Sequence, residues 1–112
     1  MSTIYKRALA QRDLVDNYVY LAEHAGISLA EKFLSNAEAS FIELAAQPKL
    51  GAPLSTLQPS LQGMRKWRVK NFDHFLIFYL PVKSGVSIVR VLHAARNWQK
   101  TLSVRGVEAR MR

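Results

Sequence analysis

The sequence predicts an α+β fold, an antiparallel sheet with a helical hairpin packed on one face. Three observations predict it. Apolar residues recur at helical spacing through the first half, and the period turns strand-like after Gly63. Residues 48–63 hold Pro48, Gly51, Pro53, Pro59 and Gly63 and divide the two regimes. Residues 75–80 (FLIFYL) are apolar on both faces, as a central strand requires. With 112 residues and 49% apolar content, the chain suits one domain with a real core.

Residues 3–8 read as a short strand, because Ile4 and Tyr5 have β propensity and the run is short. A helix fits residues 11–25. Leu14, Tyr18, Leu21, Ala22 and Ala25 line one face, Asp13 and Asp16 lie near the positive pole, and Gly26 is placed to end it. Ser28 and Glu31 form a capping-box pattern that opens a second helix over residues 28–46. Its stripe is Ala30, Phe33, Leu34, Ala37, Phe41, Leu44 and Ala45, and Pro48 stops it. So short a connection makes the two helices an antiparallel hairpin. Residues 64–70 read as a strand with Arg65, Trp67 and Val69 on one face and Met64, Lys66, Arg68 and Lys70 on the other. Residues 75–80 follow, then a turn over 81–85, then a last strand over 86–93. A helical turn is predicted within residues 96–102. The single domain then spans residues 1–102, and residues 103–112 form a polar, basic, mobile tail.

Charge narrows the partner. Lys and Arg total 16 against 8 acids, a formal net of +8. Residues 1–56 carry a net of −1 and residues 57–112 a net of +9. Such asymmetry points to an acidic partner, a nucleic acid or an acidic protein segment. There are no cysteines, which excludes disulfides, thiolate-ligated metals and thiol nucleophiles. No run near the N-terminus has signal-peptide length, and the longest apolar stretch is too short to span a bilayer. A cytoplasmic protein without membrane attachment is therefore expected. His24, His74 and His93 have no zinc spacing, and there is no phosphate loop or serine-nucleophile motif. Neither metal nor cofactor is expected.

Three segments carry a family likeness: Leu61-Gln-Gly-Met-Arg-Lys-Trp-Arg-Val69, Phe75-Leu-Ile-Phe-Tyr79 and Ile88-Val-Arg-Val-Leu-His-Ala-Ala-Arg96. With the pattern upstream from Ala30 to Gly51, they resemble the RelE/ParE superfamily of toxins from type II toxin–antitoxin pairs. The ParE branch, which includes plasmid stabilisation toxins, looks nearest. The resemblance covers residues 3–100 and implies the order β-α-α-β-β-β. It also implies one of two activities. ParE-like members poison DNA gyrase, and RelE-like members cut messenger RNA on the ribosome. For the second, Lys66, Arg68 and Arg96 match a cationic shell, but Phe75 stands where such enzymes place an arginine. Leu102 falls near the place of their C-terminal tyrosine, and no tyrosine follows Tyr79. The resemblance therefore implies a gyrase-inhibiting toxin bound by a cognate acidic antitoxin, a binding protein and no catalyst. The alternative is a ribosome-dependent endoribonuclease with a degenerate site. A third, less favoured reading is sequence-independent nucleic-acid binding, which salt would weaken steeply.

The candidate antitoxin- or target-binding residues are Lys66, Arg68, Lys70, Arg90, His93, Arg96 and Trp98; none is assigned a catalytic role. Lys66, Arg68 and Lys70 on one strand face would anchor an acidic segment or guard the strand against aggregation. Arg90 aligns with Val86, Ile88 and Leu92 and needs a carboxylate, for which Asp73 is the nearby candidate. Arg65, beside Trp67, has a structural or ring-stacking role. His93 fixes the strand end by a hydrogen bond. Trp67 fills core, and Trp98, beside the basic tail, is the interface tryptophan.

Overall fold

The computed structural model describes residues 2–104. The elements run β1 (Thr3–Lys6), α1 (Ala8–Ala25), α2 (Ile27–Ala46), β2 (Ala52–Pro53), a 3-10 turn (Pro59–Leu61), β3 (Arg65–Val69), β4 (Phe72–Val82), β5 (Gly85–His93) and α3 (Trp98–Thr101). The five strands form one sheet in the order β1-β5-β4-β3-β2. The β3–β4 and β4–β5 pairs are antiparallel, as expected; β2, inside the stretch read as a connecting loop, adds a further antiparallel pair with β3. β1 adds a parallel pair with β5, so the sheet is mixed. The hairpin of α1 and α2 lies between β1 and the remaining strands in sequence and returns the chain across one sheet face, which lets β1 run alongside β5.

The helices differ from expectation at their ends. α1 starts at Ala8, because the Arg7 N–H already donates to the Ile88 carbonyl and ends the β1 pairing. The turn between the helices is Gly26 alone, with φ 101°. That conformation is open to glycine at little cost. α2 therefore starts at Ile27, and Ser28 sits inside its first turn instead of capping it. Ala25 faces solvent at the hairpin tip, although the stripe predicted its burial.

The core has two parts. On the helix side, Ala10, Leu14 and Leu21 of α1 and Ala30, Phe33, Ala37, Phe41 and Leu44 of α2 pack on Val69, Phe75, Ile77, Tyr79, Val86, Ile88 and Val91. On the opposite face Leu61, Met64, Phe78, Leu80, Val89, Leu92, Trp98, Leu102 and Val104 form a second cluster. This explains why residues 75–80 are apolar throughout. Each face of β4 has its own cover.

β4 runs on through Pro81 to Val82, and the turn shrinks to Lys83 and Ser84. Proline is tolerated there because β3 ends opposite Tyr79, which leaves that flank of β4 an edge. Gly85 allows β1 to come close: a Cβ there would meet the Thr3 carbonyl oxygen. Ser103 and Val104, assigned to the tail by sequence, belong to the fold. Val104 is buried and bridges to Thr56, whose Oγ1 donates to the Leu102 carbonyl at 2.6 Å. The rest of the predicted tail, residues 105–112, lies outside the described residues. No described helix is long and apolar enough to cross a membrane.

The chain after α2 is fixed by one phenol. Buried Tyr79 accepts the Gly51 N–H at 2.8 Å and donates to the Pro48 carbonyl at 2.7 Å. Burial pushes its pKa above the ordinary 10.0. Tyr79→Phe strands both backbone partners and should cost about 1–3 kcal/mol, read as a lower urea midpoint with unchanged slope. The phenol is neutral when folded at pH values where an unfolded tyrosine has ionised. Its stabilising contribution is thus complete below pH 10.0 and is lost as pH rises through the folded value. Phenolate absorbance should show a late-titrating component in wild type that Tyr79→Phe loses.

Candidate functional site

Seven side chains were expected to bind. The structure separates them into different settings. Arg90 is the most firmly held. Its Nε donates to Asp13 Oδ2 at 2.7 Å and its Nη2 to Asp13 Oδ1 at 2.9 Å, a two-pronged pair with little solvent access. Its hydrogen bonds to Asp13 push the guanidinium pKa above its ordinary value. The partner is thus Asp13 of α1 and not Asp73, which instead lies 3.4 Å from Arg68 in an exposed pair. The expected row of Val86, Ile88, Arg90 and Leu92 is broken as well. Tyr79 faces Ile88 and Phe78 faces Arg90, so Val89 is an extra residue in the ladder. Val86 and Ile88 then join the helix-side core, and Leu92 joins the other.

The three cations of β3 and its turn do not share one face. Lys66 Nζ lies 5.1 Å from the Trp98 ring centroid, on the face opposite the helices. Arg68 lies over the Trp67 ring at 5.0 Å. With Trp67 and Lys70 it lines a groove of about 470 Å³ closed on the α2 side by Ala39, Ile42 and Glu43. Arg68 is in regular register with Lys66, but its side chain lies over the ring of its neighbour Trp67. The register slips only after it, where Arg68 faces Leu76 but Val69 faces Phe72, which bears on Lys70. Period-2 alternation cannot be carried across it. Arg65 is structural, donating to the carbonyls of Lys49 at 3.2 Å and Gly51 at 2.5 Å.

The two tryptophans have exchanged roles. Trp98 is 8% exposed and packs on Phe78 with ring centroids 5.1 Å apart, so it is no open stacking platform. Trp67 is half-buried and lines the groove. Arg96 is exposed in the turn after β5, and its N–H donates to the His93 carbonyl at 3.0 Å. His93 Nδ1 accepts the Ala95 N–H at 3.0 Å, which pins the end of β5. His74 stacks on it at 6.0 Å, yet no described cluster of three or more histidine and carboxylate groups could hold a metal ion.

Sequence reasoning missed the groove's α2 wall. Ile42 falls off the buried stripe and is 61% exposed. A large aliphatic side chain on the polar face of a helix was the signal available for it.

A family model described as the ParE toxin of the type II toxin–antitoxin system parDE matches residues 4–98. Among solved structures, the chromosomal ParDE toxin–antitoxin system from P. aeruginosa is similar in fold. The TM-score is 0.66 at 18% identity, over 83% of this chain and 96% of that one. No curated protein matches the chain in sequence.

Asp13 supports the site region through one carboxylate. Asp13→Ala leaves Arg90 without a counter-charge in a dry setting and should cost about 3–5 kcal/mol. Arg90→Met in the Asp13→Ala background should recover part of that loss. Urea unfolding of the two single variants and the double variant measures the coupling.

Proposed function

This chain belongs to the ParE toxin family of type II toxin–antitoxin systems, and on that footing we propose that it inhibits DNA gyrase and is neutralised by a cognate acidic antitoxin. The observation that supports the gyrase reading over ribonuclease action is that the cations matching a ribonuclease shell do not meet round one point. Ribosome-dependent cleavage needs a base, a donor to the leaving oxygen and cations gathered round one phosphate. Lys66, Arg68 and Arg96 are the residues that match such a shell. Lys66 lies on Trp98, Arg68 lies on Trp67 beside Asp73, and Arg96 sits in the turn beyond β5.

The remaining positions supply no chemistry either. Phe75 is in the helix-side core against Phe33, with ring centroids 4.8 Å apart. Leu102 is buried in the opposite cluster. Losing one electrostatic contact to the reacting phosphate costs about 3–4 kcal/mol, and losing the proton-transfer group about two to four decades of rate. A binding function loses nothing by these replacements.

The antitoxin reading is supported by charge. The net of +9 over residues 57–112 would steer an acidic protein toward this half. The product of a neighbouring reading frame, short and acidic with a DNA-binding N-terminus, would fit the role.

Two measurements test these readings. Purified protein should block supercoiling by gyrase or trap cleaved DNA with no ribosomes present, and should leave ribosome-bound messenger RNA intact. Cleaved messenger RNA with gyrase fully active would reverse the assignment. Lys66→Glu with Arg68→Glu should slow antitoxin association about tenfold at low salt, with the difference shrinking as salt rises. An unchanged rate would remove these residues from the steering surface.

A further inference from the structure

Two anchored arginines line one cavity. Arg7 links β1 to α1, and its Nε donates to the Oγ of buried Ser87 at 3.1 Å. Arg90 of β5 gives its Nε and Nη2 to Asp13. Each guanidinium is thus gripped at Nε. The Nη atoms of Arg7 and Nη1 of Arg90 make no hydrogen bond among the described residues, and none of them is sealed from solvent. Both side chains line a cavity of about 310 Å³. It lies between the start of α1, β5 and the segments that cover the second apolar cluster.

No aspartate or glutamate among the described residues lines this cavity. Asp13 lies behind Arg90, its oxygens committed to Arg90 and to the Val91 N–H. Ser60 adds a hydroxyl donor. Gln58 adds an amide whose Nε2 has only contacts of 3.5 Å, at the outer limit of a hydrogen bond, so it can turn to a better acceptor. The apolar part of the wall comes from Val89, Leu102 and half-exposed Leu9. We infer that this cavity binds a phosphate monoester with a small apolar body. Its phosphoryl group is held by Arg7 and Arg90, and its body lies against Leu9 and Val89. This site depends on neither the gyrase nor the antitoxin reading.

Three features select that ligand. Guanidinium nitrogens, a hydroxyl and an amide are the donors gathered here, and a phosphoryl group can accept from all of them. A carboxylate has two oxygens and would leave part of the set unused. Arg7 has no carboxylate partner among the described residues, so the cavity keeps one uncompensated positive charge in a chain of net +8. The volume lies at the small end of the range for ligand sites, which suits one ring beside the phosphoryl group. A bound ligand would join the helix layer to the cover of the opposite face and so stabilise the folded chain.

The test uses the full-length chain, with phenyl phosphate, inorganic phosphate and benzoate titrated at one ionic strength. Calorimetry should show phenyl phosphate binding about tenfold or more tighter than either of the others. Equal binding of benzoate would overturn the choice of phosphate, and equal binding of inorganic phosphate would overturn the apolar body. Arg7→Gln removes a charge at an exposed position and should weaken phenyl phosphate binding about tenfold or more. Lys83→Gln, exposed in the β4–β5 turn, should leave it unchanged. Equal losses in the two variants would reduce the effect to net charge and overturn the site. So would an absence of binding by the wild-type chain, or no loss in Arg7→Gln. In the wild-type chain, phenyl phosphate should shift the amide resonances of Leu9, Val89 and Leu102. Shifts confined to other residues would overturn the placement, and that readout does not depend on how Arg7→Gln folds.

Discussion

One carboxylate holds the two halves of the molecule together. β1 pairs with β5 only as far as Lys6 and Ile88. Beyond that point β5 would be a bare edge. Asp13 Oδ2 accepts the Val91 N–H at 2.9 Å, and Asn17 Nδ2, one turn on, donates to the Val91 carbonyl at 3.1 Å. Two side chains of α1 thus satisfy Val91 as a paired strand residue would. The same Asp13 holds Arg90 through both its oxygens. It is buried at 4% exposure, and its two oxygens need these donors in place of water. Its three hydrogen bonds fix α1 over the sheet.

The position of α1 sets the rest. A one-residue turn at Gly26 gives α2 little freedom relative to α1. α2 then lies over the sheet, its Ser40 takes the Lys70 amide, and its outer side forms one wall of the groove. Lys6, 2.6 Å from Glu38, ties α2 to β1. The geometry at the β3 edge is therefore a consequence of packing at the opposite end of the sheet order. The second apolar cluster acts on the other face, where Trp98 and Leu102 cover Phe78 and Leu80. Between them the two covers leave Lys66 over Trp98 on one side of the sheet, and Arg68 and Lys70 in the groove beside α2.

The elements were legible in the sequence because their signals are local. The α2 stripe, the change of period after Gly63 and the double-sided apolarity of residues 75–80 each depend on neighbours within a few positions. The site was less legible because its determinants are distant or arise where periodicity fails. Asp13 and Arg90 are 77 positions apart, and Asp73 was simply the nearer acid in sequence. Asp13 also suited the helix dipole, so nothing marked it as buried. The ladder irregularity at Val89 carries no glycine or other residue signal, yet it puts Val86 and Ile88 in one core cluster and Leu92 in the other. Trp98 was read as exposed because basic residues surround it. In the fold, Lys66 lies over its ring and Phe78 packs against it. An aromatic beside cations in sequence is thus also consistent with a core ring that cations border.

The same physics governs every edge of this sheet. An unpaired edge invites another chain, and folded proteins shorten it, cover it or charge it. β1 has four residues and carries Lys6. The free part of β5 is covered by Asp13 and Asn17. β3 is covered by two residues of β2 on one side of Arg68 and by Ser40 on the other. Along β3, what stays open among the described residues is Arg68, itself an arginine two positions from Lys70. Repulsion at such a position works against another basic chain of this kind and in favour of an acidic one. A single choice of side chains thereby protects the edge from self-association and selects the charge of whatever pairs with it.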